Sequence, residues 1–155
     1  MTGKSPASPA APSNKAMIEE FSWNIRVYYE DTDAGGIVFY ANYLKFFERA
    51  RTEWLRAAGV NQQVLAEEHG VIFVVKNTAV DYHAPAKLDD ELNVTVLVRR
   101  LGRASVEFRQ ETWRVGPAGE RTLLANGDIK VGCVGVESLR PAAIPDEVSK
   151  KIRAE

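Results

Sequence analysis

The sequence predicts an α+β fold in which one long helix covers a face of an antiparallel sheet. Two observations carry this. Tyr43, Phe46, Phe47, Ala50, Trp54 and Ala57 recur at helical spacing, within about 60° either side of one direction at 100° per residue. Four strand-like segments then follow one another between residues 71 and 134, joined by short turns, and hairpin connections favour antiparallel pairing. A helix with such an aromatic face must bury it, and the sheet is the only large apolar surface available.

The elements can be taken in order. Trp23, Ile25, Val27 and Tyr29 alternate with polar neighbours, the period of a half-buried strand, expected over Trp23 to Glu30. Asp31-Thr32-Asp33-Ala34-Gly35-Gly36 is a loop, because Asp and Thr bond to local backbone and paired glycines free it. The long helix is expected from Tyr40 to Ala58, with Lys45, Arg49, Thr52 and Arg56 on its far side and Gly59 as a left-handed cap. Asn61 to His69 reads as a short second helix stopped by Gly70. Val71 to His83 is a strand broken by Ala84-Pro85. A strand carrying Leu92, Val94, Val96 and Val98 turns at Leu101-Gly102-Arg103 into another over Ala104 to Val115. After Gly116-Pro117-Ala118-Gly119 the last strand, Thr122 to Val134, offers Leu123, Ala125, Ile129, Val131 and Cys133 to one face. A short helix is expected from Pro145 to Ile152.

Composition narrows the function. The 155 residues carry 20 Lys and Arg against 21 Asp and Glu, a net charge of −1, so there is no basic field for duplex nucleic acid. No apolar run approaches the roughly 20 residues that span a bilayer. The one Cys precludes a disulfide framework within the chain. Residues 1–18, rich in Pro and Ser, read as a disordered tail before one domain over 19–155. That tail lacks the apolar segment of a secretory signal, which makes the cytoplasm the expected compartment. No cofactor is expected. His69 and His83, far apart and without a Cys cluster, do not suggest a metal site. No G-x-S-x-G elbow is present.

The most specific segment runs from Tyr29 to Arg51, YEDTDAGGIVFYANYLKFFERAR. It resembles the 4-hydroxybenzoyl-CoA thioesterase family of the hotdog fold, and within it the YbgC-like acyl-CoA thioesterases associated with the Tol-Pal system. That family's pattern is roughly D-x-D-x-x-G-x-V-[YFW]-[HY]-x-x-Y followed by F-x-E-x-A-R. Val80 to Leu92, VDYHAPAKLDDEL, is also similar. The likeness covers about residues 21 to 137. It implies an antiparallel sheet wrapped around one long central helix, a homodimer or homotetramer with sites at subunit interfaces, an acyl-CoA substrate, and a link to the cell-envelope Tol-Pal system.

Thioester hydrolysis needs a base or nucleophile and donors for the oxyanion. By the resemblance, Asp33 is the catalytic acid of the D-x-D pair. Tyr40 occupies the position whose backbone N–H serves as oxyanion donor, where most YbgC-like members carry His. With a phenol near pKa 10, Tyr40 is expected to position rather than to act as base. Gly35 and Gly36 let backbone amides approach a ligand. Ile37, Val38, Phe39 and Tyr43 are expected to line the substrate site. Asp31 reads as a turn-stabilising residue. On the residues alone, Asp33 could cap a turn as well. Glu48 lies about 140° from the centre of the apolar stripe; it either reaches the acyl pocket as an auxiliary base or forms an ion pair. Arg99, Arg100 and Arg103 flank the Gly102 turn, either to bind CoA phosphates or as a solvated hairpin tip. Ser105 could bond the pantetheine arm. His83 reads as a strand residue with a satisfied hydrogen bond, and Cys133 as a buried thiol. The rival to hydrolysis is a hotdog protein that binds acyl-CoA or an acyl carrier without cleaving it. A hotdog dehydratase would need a His near the loop.

Overall fold

The computed structural model describes residues 20–153; the tail expected over 1–18 lies outside the described residues. Five antiparallel strands form one sheet: β1 (Phe21–Arg26), β2 (Val71–Tyr82), β3 (Glu91–Leu101), β4 (Ser105–Val115) and β5 (Arg121–Gly135). Their spatial order is β1-β3-β4-β5-β2. The helix α1 (Asn42–Ala57) carries the chain from one edge strand, β1, to the other, β2. A short α2 (Gln62–Val64) continues as a π turn over Leu65–His69, and α3 (Asp146–Ile152) closes the chain. Among the described residues no helix is long and apolar enough to cross a membrane.

The core lies between α1 and the inner face of the sheet. Tyr43, Phe46, Phe47 and Ala50 of the helix are buried against Leu92, Val94 and Val96 of β3, Phe108 of β4 and Ile129 of β5. Gly127 leaves room for the helix: a Cβ there would stand 3.1 Å from Phe47 Cε2. Among the described residues Gln110 is the one amide in this layer, fully buried. Its Nε2 donates to the carbonyls of Phe47 and Thr95, and its Oε1 accepts from Arg51 Nη1 at 2.8 Å. All its principal partners are met, so it ties α1 to the sheet without the cost of an unpaired buried group.

Several boundaries and faces differ from the sequence expectation. The first strand stops at Arg26, and Tyr29–Asp31 is a 3-10 turn. The Asp31 carboxylate accepts the Tyr28 N–H at 2.8 Å, which curls the chain before the alternation can continue, and Tyr29 is 82% exposed. Helix α1 starts at Asn42, since Phe39 to Asn42 forms a turn closed by Asn42 N–H to Phe39 O at 2.8 Å. In its last turn Leu55 is buried and Ala57 is exposed. There the Leu55 carbonyl accepts the Val60 N–H as the chain reverses through Gly59 at φ +86. Leu123 stands opposite Trp113 on the outer face, because a bulge at Leu124 shifts the phase of β5. Cys133 is buried, as expected, and burial pushes its thiol pKa up.

Candidate active site

The site is built on a small irregular hairpin between β1 and α1. The Asp33 N–H donates to Ile37 O at 2.8 Å, and Phe39 N–H to Asp31 O at 3.2 Å. Gly36 turns the hairpin at φ +82, a conformation that costs a side-chain-bearing residue energy. At its tip Asp33 Oδ1 accepts the Gly35 N–H at 2.8 Å. That bond holds the carboxylate in place while leaving Asp33 exposed. Asp31 does different work. It is buried, and its carbonyl accepts Asn42 Nδ2 at 2.8 Å, anchoring the hairpin to the first residue of α1.

The second family-like segment buttresses the first. Ala86 is completely buried: its carbonyl accepts Val38 N–H at 2.9 Å, and its own N–H donates to Tyr43 Oη at 3.0 Å. Tyr43 thus joins α1 to the Ala84-Pro85 break. Burial pushes its phenol pKa above the ordinary value, against the opposing Ala86 hydrogen bond, so the ring enters as a neutral group. Replacing Tyr43 by Phe leaves the Ala86 N–H unsatisfied in the core. We expect a loss of about 1–3 kcal/mol, read as a lower urea midpoint with an unchanged slope.

Tyr40 begins the approach to α1. Among the described residues no protein acceptor takes its N–H or that of Ala41. These amides sit at the positive end of a 16-residue helix, where unpaired N–H groups favour developing negative charge. The Tyr40 carbonyl is held by Tyr82 Oη at 3.1 Å. Tyr82 also packs edge-on against Tyr40 and Tyr43, with centroids 6.0 and 5.4 Å apart. Burial first, then the neighbouring Tyr40, raises its pKa. The sequence reading assigned Tyr82 no role, although it stands in the second family-like segment; the available signal was its place just before the Pro85 break. Phe39, Ile37 and Tyr40 lie exposed around this cluster, and Val38 is buried beneath it.

Other expected site residues lie elsewhere in the fold. Arg99, Arg100, Arg103 and Ser105 sit at the β3–β4 turn, whereas the Asp33 hairpin borders the beginning of β3 through Ile37 and Lys87. Eight residues from Glu91 to Arg99 span about 26 Å of strand. Arg99 bonds Asp128 at 3.1 Å, sharing it with Arg109. Arg100 and Arg103 are exposed. Glu48 is exposed on α1, beside a cavity lined by Trp54, Phe73 and Phe108, and forms no ion pair among the described residues. His83 is engaged by Asn126 Oδ1 at 2.5 Å, and His69 lies 3.6 Å from Glu147. Among the described residues no group of three or more potential ligands is arranged to hold a metal.

A five-stranded antiparallel sheet that enfolds one long helix is the arrangement of the hotdog fold, and the relatives that share it make this chain a thioester hydrolase. The chain belongs to the thioesterase superfamily, whose family model matches residues 35–119. It is 48% identical over 128 residues to a Haemophilus influenzae protein named acyl-CoA thioesterase YbgC, covering 83% of this chain and 90% of that relative. A probable thioesterase from Bartonella henselae superposes with a TM-score of 0.75 at 30% identity, over 82% of this chain and all of the other (100%). The 4-hydroxybenzoyl CoA thioesterase of Pseudomonas sp. strain CBS-3 matches with a TM-score of 0.78 at 21% identity, over 85% and 98% of the two chains, a likeness of fold.

Proposed function

We propose that this protein hydrolyses acyl-CoA thioesters to a free carboxylic acid and CoA, with Asp33 as general base or nucleophile. The observation that carries the reading is the pairing of the Gly35-held Asp33 carboxylate with the acceptor-free Tyr40 and Ala41 amides at the start of α1. The amides receive the charge that develops on the thioester oxygen. Such donors are already oriented by the fold, so they stabilise the transition state without reorganising. If the acid attacks the carbonyl, thiolate departs to leave a mixed anhydride on Asp33, which water then cleaves to the free acid; if it takes a proton from the attacking water instead, the tetrahedral intermediate collapses with departure of the thiolate, which takes up that proton. The Gly35 and Gly36 segment admits the ester, Phe39 and Tyr43 with Tyr82 form its aromatic surroundings, and Ile37 adds an aliphatic side chain.

The working unit in this reading is at least a homodimer. Strand β2 is an edge strand of 12 residues with one unpaired side, and a long open edge is normally covered. A second copy pairing antiparallel along it satisfies those backbone groups by a two-fold operation. The other edge, β1, is only six residues long.

The test is release of free thiol from a panel of short, long and aromatic acyl-CoA esters. Hydrolysis of at least one supports an enzyme; ester binding without thiol release supports the binding-only alternative. The role of Tyr40 is separable. Tyr40→Phe keeps the backbone amide and is expected to retain kcat within about tenfold, well short of the loss that follows removal of a general acid or base.

A further inference from the structure

The entry into α1 leaves one peptide group weakly held by the helix itself. In a continuous helix the Leu44 N–H would bond the Tyr40 carbonyl. Here it goes to Ala41 O at 3.2 Å, and the Tyr43 N–H reaches Tyr40 O only at 3.3 Å, longer than the usual range. The Tyr40 carbonyl is met instead from the sheet, by Tyr82 Oη at 3.1 Å, from the last residue of β2 and 42 positions away in the chain. We propose that Tyr82 is a positioning residue for thioester hydrolysis: by holding the Tyr40 carbonyl it aims the Ala41 N–H as a donor at the oxyanion. The inference rests on the acyl-CoA hydrolase reading, in which the amides before α1 receive the developing charge.

Three observations support it. First, the Tyr40 carbonyl and the Ala41 N–H belong to one peptide group, planar and trans, so the two point in opposite directions. A bond that fixes the oxygen fixes the direction of the N–H. At the start of a helix the free N–H groups point out of its N-terminal end. That end is tied to the Asp33 hairpin, because Asn42 Nδ2 donates to the Asp31 carbonyl at 2.8 Å. Second, the Ala41 N–H has no protein acceptor among the described residues. A hydrogen bond received by the carbonyl also polarises the group and strengthens its N–H as a donor, by about 10–30% per bond.

Third, Tyr82 is itself held. Its backbone lies in the ladder opposite Ala125 of β5, and its ring packs edge-on against Tyr40 and Tyr43. The hydroxyl therefore has a set direction, which a free side chain would lack. Burial, and then the neighbouring Tyr40, raises its pKa, so the phenol keeps the proton that it donates. That proton is committed to the Tyr40 carbonyl. Tyr82 thus acts through the peptide and not on the ester.

Tyr82→Phe keeps the ring and removes the hydroxyl. Loss of a whole oxyanion donor costs about a hundredfold to a thousandfold in kcat. Here the amide stays but loses its aim, so a fall of at least about tenfold in kcat is expected. The Kd for the ester should change by less than about twofold, since the bond strengthens only as charge develops. Tyr82 is 45% exposed, so water can reach the vacated carbonyl and the thermal midpoint should hold.

Two further readouts separate aiming from bracing. The first is the infrared carbonyl band of a bound ester labelled at the thioester carbon, taken from the panel esters that the wild type cleaves and recorded with Asp33→Asn protein to prevent turnover. Adding Tyr82→Phe is expected to move that band back toward its frequency in water. The second is replacement of Tyr82 by para-aminophenylalanine, which keeps a donor at the ring tip and is expected to restore kcat to within about threefold of wild type. Wild-type kcat in Tyr82→Phe overturns the proposal. So does an unmoved band, or a loss of kcat that follows the thermal midpoint and that the amino variant fails to recover. In each of these cases an active wild type leaves the hydrolase reading standing. A wild type that cleaves no acyl-CoA ester overturns that reading, and the role of Tyr82 with it.

Discussion

Asp33→Asn is expected to lower kcat for acyl-CoA hydrolysis by at least about a hundredfold, the lower end of what losing a general base or nucleophile costs. The substitution is nearly isosteric. Its amide oxygen can still accept the Gly35 N–H that Oδ1 now receives at 2.8 Å, so the hairpin keeps its shape. Asp33 is also exposed and forms no ion pair among the described residues. Stability should therefore stay within about 0.5 kcal/mol, as for other surface changes. Ester binding should persist, because the amides before α1 and the apolar surroundings are unchanged. The decisive measurement is the split between kcat and Kd for a CoA ester, with the thermal midpoint as control. Wild-type turnover in this variant would remove Asp33 from the mechanism. A parallel drop in stability would mean that the residue is needed for the hairpin and not for the chemistry.

Phe47→Ala is expected to be the most damaging single change to the fold, costing about 3–5 kcal/mol. Phe47 is fully buried at the centre of the contact between α1 and the sheet. The place it occupies is fitted to it on the sheet side by Gly127, which has no side chain to move into the space left behind. The adjoining Phe47 carbonyl also accepts the Gln110 side chain at 3.1 Å. A cavity there loosens the one buried amide that joins helix to strand. Against a total stability of about 5–15 kcal/mol for a typical domain, such a loss removes much of the folded population. Chemical denaturation measures it directly; a change of less than about 1 kcal/mol would show that the layer repacks.

The legible parts of this protein are those where a local rule decides the outcome. The periodicity of Tyr43, Phe46, Phe47 and Ala50 located α1 and its buried face, because a helix repeats its direction every few residues. Gly59 and Gly70 were readable as helix stops, and both adopt positive φ. The strand segments were readable from alternation and β-branched runs, with their turns marked by glycine and proline. Misreadings arose where a distant or irregular contact overruled the local pattern. Asp31 ended the first strand early through the Tyr28 N–H. The bulge at Leu124 moved Leu123 to the other face, since one extra residue inverts every following side chain. Leu55 was buried by the chain's return after Gly59, which no helical-wheel argument contains.

The candidate site divides in the same way. Residues 29–51 by themselves were enough to indicate the family, the expected acid at Asp33 and the glycines beside it, since these adjoin in the chain and their chemistry is local. Only the tertiary structure decided the rest. It set Tyr82 on the Tyr40 carbonyl and Ala86 between Val38 and Tyr43, and it separated the Arg99 turn from the hairpin by most of the length of β3. Those relations join residues about 40 or more positions apart. Sequence patterns record the direction in which each side chain points along its own element; which elements then meet is decided by how the apolar faces pack together.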